Sequence, residues 1–217
     1  MTLPLLRGLI LDWGGVLTSG MRESFVAWAE EDGIDLEPFI ATMRRWLSDY
    51  DSTETILNPI HALERGQMEV PDFEAHVAAE LSERSGKPVP ADGLLERIVS
   101  HFQHAPEMNA LVRRAREQGI ATALLSNSWG NRYPRHLWEG MFDAVVISGE
   151  VGMRKPDPDI YLHALSLLDL PASQCVFVDD IDVNVRGAAA VGMVGVHHVS
   201  YATTARELET LFGLPLA

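Results

Sequence analysis

Five short apolar runs stand out along the chain, each cut off by polar or glycine residues. Residues 5–11 (LLRGLIL) stop at Asp12 and Gly14-Gly15. Ile120–Leu125 stops at Ser126-Asn127, Ala144–Ile147 at Ser148-Gly149, and Cys175–Val178 at Asp179-Asp180. A fifth run, Val194–Val199, carries His197 and His198. Short apolar runs bounded by turn residues read as strands buried on both faces. Helical patterns separate most of them. Pro106–Gln118 has a glycine at its end, and Pro158–Leu168 has Asp157 as N-cap and Pro158 at its first position. Val183–Val191 is rich in alanine, with Gly192 as C-cap. Strand and helix in alternation predict an α/β fold with a parallel sheet between two helical layers.

The alternation breaks between the first strand and Ile120. Apolar residues recur there only at helical spacing: Phe25, Trp28 and Ala29; then Phe39, Met43, Trp46 and Leu47; then Ile56, Ile60 and Leu63. Phe73, Val77 and Leu81 form a fourth set, and Leu94, Leu95, Ile98 and Phe102 a fifth, joined by the loop Ser85–Asp92. These stripes predict an all-helical domain over residues 18–102, inserted into a core made of 1–17 and 103–217.

Composition narrows the function classes. With 47% hydrophobic and 22% charged residues in 217, the chain is an ordinary globular protein. Its net charge of −14 argues against nucleic acid or an anionic membrane surface as a partner. A single cysteine, Cys175, excludes an internal disulfide and a cysteine-rich zinc site. The apolar start has no basic leader and reads as a strand, and no apolar run is long enough to span a bilayer. A cytoplasmic protein is the expectation; the oligomeric state is left open.

Ligands of open α/β sheets bind beyond the carboxyl ends of the strands. That rule gathers Asp12, Ser126, Asp179 and Asp180. Three carboxylates brought together repel one another unless a cation lies among them, and an all-oxygen site suits Mg²⁺. A hydroxyl and a lysine nearby then hold an anion against the metal. Only two lysines exist, Lys87 and Lys155. Carboxylate, metal, hydroxyl and lysine are the parts that phosphoryl transfer requires.

Four stretches, in order, carry a family resemblance: Asp12-Trp13-Gly14-Gly15-Val16-Leu17, Leu124-Leu125-Ser126-Asn127, Val151 to Pro158 around Lys155-Pro156, and Val176-Phe177-Val178-Asp179-Asp180. The chain resembles the haloacid dehalogenase superfamily, in its Mg²⁺-dependent phosphatase branch. The wording of the last two stretches is most similar to epoxide-hydrolase phosphatase domains and glucose-1-phosphate phosphatases. The resemblance implies a Rossmann-like core with a helical C1 cap, and a small phosphorylated metabolite as substrate. It makes Asp12 the nucleophile, Ser126 and Lys155 its catalytic partners, and Trp13, Asn127, Ser126 and Lys155 the phosphate-binding set. Mg²⁺ falls to Asp12, the Gly14 carbonyl and Asp180, with Asp179 behind them orienting a water.

The departure from the family pattern is Gly14, which stands where the family has a second Asp that protonates the leaving group. General acid–base catalysis is worth about 10²–10⁴-fold. The expectation is a slow phosphatase or one restricted to good leaving groups; the alternative is a phosphate-binding pseudoenzyme. Phosphonoacetaldehyde hydrolases need a cap lysine, and the insert offers only Lys87 in a loop. The dehalogenases lack the metal and the paired acids. Elsewhere the residues take plainer readings. Asp182 caps a helix, His197 and His198 are structural, and Arg113, Arg114 and Arg116 form a solvated face. Cys175 packs. Asn184 assists the loop, caps the helix or faces solvent. Arg44, Arg45, Trp46 and Tyr50 line the cleft if their helix faces the core, and Trp129 stands next to the second motif as a substrate contact or not.

Overall fold

The structure is a computed structural model that describes residues 5–48 and 58–217. Tyr50 and Ile56 lie outside the described residues, as does the side chain of Leu47. Strand β1 (Gly8–Leu11) leads into α1 (Met21–Asp32), α2 (Leu36–Ser48), α3 (Pro59–Glu64), α4 (Val70–Ser85) and α5 (Leu94–Ser100). Then follow α6 (Pro106–Glu117), β2 (Ala121–Ser126), β3 (Ala144–Ile147), α7 (Ser148–Val151) and α8 (Pro158–Leu168). The chain ends with β4 (Cys175–Asp179), α9 (Asp182–Ala190), β5 (Val194–His197) and α10 (Tyr201–Phe212).

The sheet is parallel throughout, in the order β3-β2-β1-β4-β5. Every residue of β1 is buried, as a central strand between two helical layers requires. Leu9 and Leu11 face a cluster built with Leu111 and Val112 of α6 and Leu208 of α10. Ile10 faces the other side, with Ile160 and Tyr161 of α8 and Ala188 of α9. Register sets Leu11 beside Leu124 and Val178, so Asp12, Ser126 and Asp179 emerge at one edge.

Helices α1–α5 bury a separate cluster around Trp28, Phe39, Phe73 and Leu94. The two chain crossings between this layer and the sheet lie side by side. Thr18 bridges His104, Ser19 N–H donates to the Gln103 carbonyl, and Ala105 N–H to that of Leu17. Phe102 packs against both the helical cluster and the sheet cluster.

Several local expectations are corrected. The N-cap of α9 is Ile181; Asp182 is the first helical residue, makes no capping bond and pairs with Arg186. Asp157 does cap α8 by position, but its carboxylate goes to Arg65 at 2.7 Å. Arg113 donates to the carbonyls of Leu137 and Glu139, Arg114 to that of Leu216, and Arg116 pairs with Asp143. These arginines tie α6 to its neighbours. Helix α10 escaped the sequence reading because its buried positions are Thr204, Ala205 and Leu208, a weak apolar stripe.

The helical layer meets the core most closely at Gly66. Its φ is +66°, and a Cβ there would stand 2.5 Å from the Gly149 carbonyl oxygen. Gly33 has φ +63° with open space around it. Gly33→Ala should therefore cost only the left-handed backbone term, about 1 kcal/mol. Gly66→Ala should cost at least about 2 kcal/mol, because the clash adds to that term. Urea unfolding of both variants measures the difference.

Candidate active site

Lys155 organises the site. Its ammonium is 2.8 Å from Asp12 Oδ1 and 2.6 Å from Asp179 Oδ2, with its side chain 1% exposed. It also lies over the Phe177 ring, 5.4 Å from the centroid. Asn127 holds the lysine backbone from both sides: its amide donates to the Lys155 carbonyl at 3.0 Å, and its carbonyl oxygen accepts from Lys155 N–H at 2.8 Å. The Asn127 side chain is thus a brace for Lys155.

Asp12, Asp179 and Asp180 offer oxygens that all lie within 4.8 Å of one another. The two acids of the pair differ in what they have left to give. Asp179 is fully engaged, accepting from Lys155, Ile181 N–H and the Asn184 amide. Asn184 is thereby a buried brace. Asp180 Oδ1 is buried with no hydrogen-bond partner. Its carboxylate lies against Gly15, where a Cβ would approach Oδ2 to 2.3 Å at φ +75°. An orphaned carboxylate oxygen beside a second carboxylate is a fit for a cation, and the all-oxygen donors fit Mg²⁺.

The charges agree. Burial, then the neighbouring Asp179 and Asp180 working against Lys155, push Asp12 up to about 8. Burial and Asp179 push Asp180 up to about 6. Burial works to lower Lys155, yet Asp12 and Asp179 carry it to about 12.

A cavity of about 200 Å³ opens on Asp12, Gly14, Ser126 and Lys155. Ser126 Oγ shares a 2.9 Å hydrogen bond with Tyr133 Oη. Trp13 packs edge-on to Tyr133 and against Phe102. Trp129 also lines the cavity, stacked on Phe25. Arg44, Arg45 and Trp46 do not line it: Arg44 is exposed, Arg45 pairs with Glu80, and Trp46 is buried against Phe73. His197 Nε2 meets the Asp180 carbonyl and His198 Nδ1 the Thr204 hydroxyl, both structural contacts. Cys175 is buried and free.

The sequence reading missed Glu64. It comes from the end of α3, lines the cavity, and accepts from Arg154 Nε at 2.6 Å, with side chains 5% and 2% exposed. Burial raises its carboxyl against the pull of Arg154 and of the Trp129 indole N–H. Nothing in the helical spacing marked it. A lone glutamate after an apolar stripe looks like a solvated end, and only the fold brings it to Arg154.

A model of the haloacid dehalogenase-like hydrolase family matches residues 6–192. The chain belongs to that family. Among its relatives is the sesquiterpene phosphatase astK of Aspergillus oryzae, 37% identical over 110 residues, 49% of this chain and 56% of that protein. The phosphoserine phosphatase of Thermus thermophilus is 35% identical over 124 residues, 54% of this chain and 50% of that protein. The chain spans about half the length of these two relatives. A HAD-family enzyme of Bacteroides thetaiotaomicron, solved as a magnesium complex, superposes with a TM-score of 0.63 at 20% identity, covering 90% of this chain and 94% of that one. A dehalogenase superposes with a TM-score of 0.65 at 20% identity over 97% of each. Likeness at this identity shows the fold.

Two predictions follow from the charges. Without metal, Asp12 and Asp180 hold protons in the fold that the unfolded chain releases above about pH 4. Stability of the metal-free protein should therefore fall as pH rises from about 4 to 8. A cation relieves this, so the Mg²⁺-induced rise in Tm should be larger at about pH 8.5 than at about pH 5. Thermal melts with and without Mg²⁺ at both pH values check it. Separately, Arg154→Met strands the buried Glu64 charge and should cost about 3–5 kcal/mol, while Glu64→Leu with Arg154→Met should recover most of it. Denaturant midpoints give both numbers.

Proposed function

We propose that this chain is a Mg²⁺-dependent phosphatase of a small phosphorylated metabolite, acting through an aspartyl-phosphate on Asp12. The observation that carries the reading is the buried Asp12–Lys155–Asp179 chain beside an Asp180 oxygen that lacks a donor. The phosphatases among the relatives support a phosphate ester as substrate. A single free cysteine agrees with a cytoplasmic location.

In this reading an Asp12 oxygen attacks phosphorus, the bond to the leaving oxygen breaks, and that oxygen takes the electron pair. Lys155 holds Asp12 and offsets charge on the phosphoryl group. Ser126 donates its hydroxyl to a phosphate oxygen. Asp12, Asp180 and the Gly14 carbonyl would hold Mg²⁺, which supplies further positive charge at the phosphoryl oxygens. Water then attacks phosphorus and frees Asp12. Neither proton transfer has a partner at position 14.

Room is not the reason. A Cβ on Gly14 would meet only Met21 Sδ, at 3.9 Å. Gly14 also favours the second reading, a phosphate-binding protein without turnover. The discriminating experiment is Mg²⁺-dependent release of phosphate from p-nitrophenyl phosphate, whose leaving group needs no acid. The wild type should release it, and Asp12→Asn or EDTA should abolish release. Gly14→Asp should raise kcat on alkyl phosphates by about 10²-fold or more. Binding of phosphate esters without release in both proteins would favour the pseudoenzyme.

A further inference from the structure

The chamber above Asp12 says what leaves. Resting on the phosphatase reading, we infer that the substrate is the phosphate monoester of an apolar aromatic hydroxyl, selected by an apolar chamber that has no acid at position 14.

The first argument is the wall. Beyond the Asp12–Lys155 floor the cavity is lined by Met21, Val99, Phe102, Trp129, Ile181 and Val183. Trp13 and Tyr133 add two more ring faces or edges beside Asp12. Such a wall rewards apolar surface and offers ring partners to an aromatic group.

The second argument is what the polar lining has left to offer. Glu64 is engaged by Arg154 and Trp129, Asn184 by Asp179, and the Asn127 side chain by the Lys155 backbone, while Arg132 stands at the exposed rim beside Glu96. A sugar or polyol buried against the apolar wall would lose more hydrogen bonds to water than the few polar groups of the lining return. Each unmade bond weakens binding by about tenfold or more.

The third argument is the leaving group. An aliphatic alkoxide needs a proton as its bond to phosphorus breaks. Position 14 offers none. Glu64 lines the same cavity and burial raises its carboxyl, but its oxygens are turned to donors of the wall, Arg154 Nε at 2.6 Å and the Trp129 indole. The Tyr133 hydroxyl is bonded to Ser126. A phenolate is a much weaker base and departs without help. The P–O bond electrons pass to its oxygen, and solvent protonates it after release. Wall and missing acid thus select the same compounds by independent routes.

The test is kcat/KM of the wild type, with Mg²⁺, on 1-naphthyl, phenyl and hexyl phosphate and on glucose 6-phosphate. The two aryl esters have leaving groups of similar acidity, so their ratio reads the wall. Naphthyl should exceed phenyl about tenfold, from the area of the extra ring. Phenyl should exceed hexyl by about a hundredfold, and glucose 6-phosphate should fall no higher than hexyl. Met21→Gln should shrink the naphthyl-to-phenyl ratio several-fold and leave the phenyl-to-hexyl ratio alone. Gly14→Asp should shrink the phenyl-to-hexyl ratio. Hexyl phosphate turned over as fast as phenyl, the result if Glu64 or Tyr133 hands over a proton, overturns the inference. So does a preference for glucose 6-phosphate, or naphthyl no better than phenyl. Release from none of the four, nor from p-nitrophenyl phosphate, sinks the phosphatase reading itself and this inference with it.

Discussion

Everything at the carboxyl edge of the sheet turns on the balance of charge around one buried ammonium. Lys155 faces Asp12 from β1 and Asp179 from β4, and Asp180 stands next in the chain. One positive charge cannot neutralise three closely set, largely buried carboxylates. The imbalance shows in the raised Asp12 and Asp180 and in the Asp180 oxygen that nothing donates to. A divalent cation would correct it, and so the fit for a metal follows from the fold before any chemistry is considered. The sheet order makes this possible, since β1 lies between β2 and β4 and delivers all the side chains to one edge.

The second constraint is the contact between the helical layer and the core. One part of it lies at the end of α3, where Glu64 reaches Arg154, Arg65 reaches Asp157 and Gly66 meets Gly149. The residues gripped on the core side flank Lys155. The outer pair is partly solvated and worth little, about 0–1 kcal/mol. The inner one is buried, and its importance lies in what breaking it would leave behind. Docking of the helical layer and placement of the lysine thus share one segment of chain.

The sequence made strands and strand ends legible because apolar runs stop where the sheet stops. β3 spans Ala144–Ile147, as its pattern indicates, and Asp12, Ser126 and Asp179 lie where the runs break. Long-range pairing left no such trace. Glu64 and Arg154 are 90 residues apart, and neither has a neighbour that announces the other. Asn127 and Asn184 were readable as polar residues near motifs, but their work as braces depends on backbone geometry that spacing does not encode. Asp182 shows the opposite error: a good capping residue at a helix start spent its carboxylate on Arg186 one turn on.

Gly14 and Gly15 look alike in the sequence and differ in kind. Gly15 has a left-handed φ of +75° and the Asp180 carboxylate where its Cβ would be, so no other residue fits without moving a candidate ligand. Gly14 has an ordinary backbone and open space ahead of it, bounded by Met21. The first glycine is a demand of the fold; the second is not. In the phosphatase reading, a side chain at position 14 would enter the cavity beside Asp12. Its absence therefore does two things together: it removes a proton donor and leaves that volume to the substrate. A chamber walled by Met21, Phe102 and Trp129 then has apolar surface facing the space the missing carboxyl would fill. The glycine and the apolar wall are consistent with each other in a way that a carboxyl and the same wall would not be.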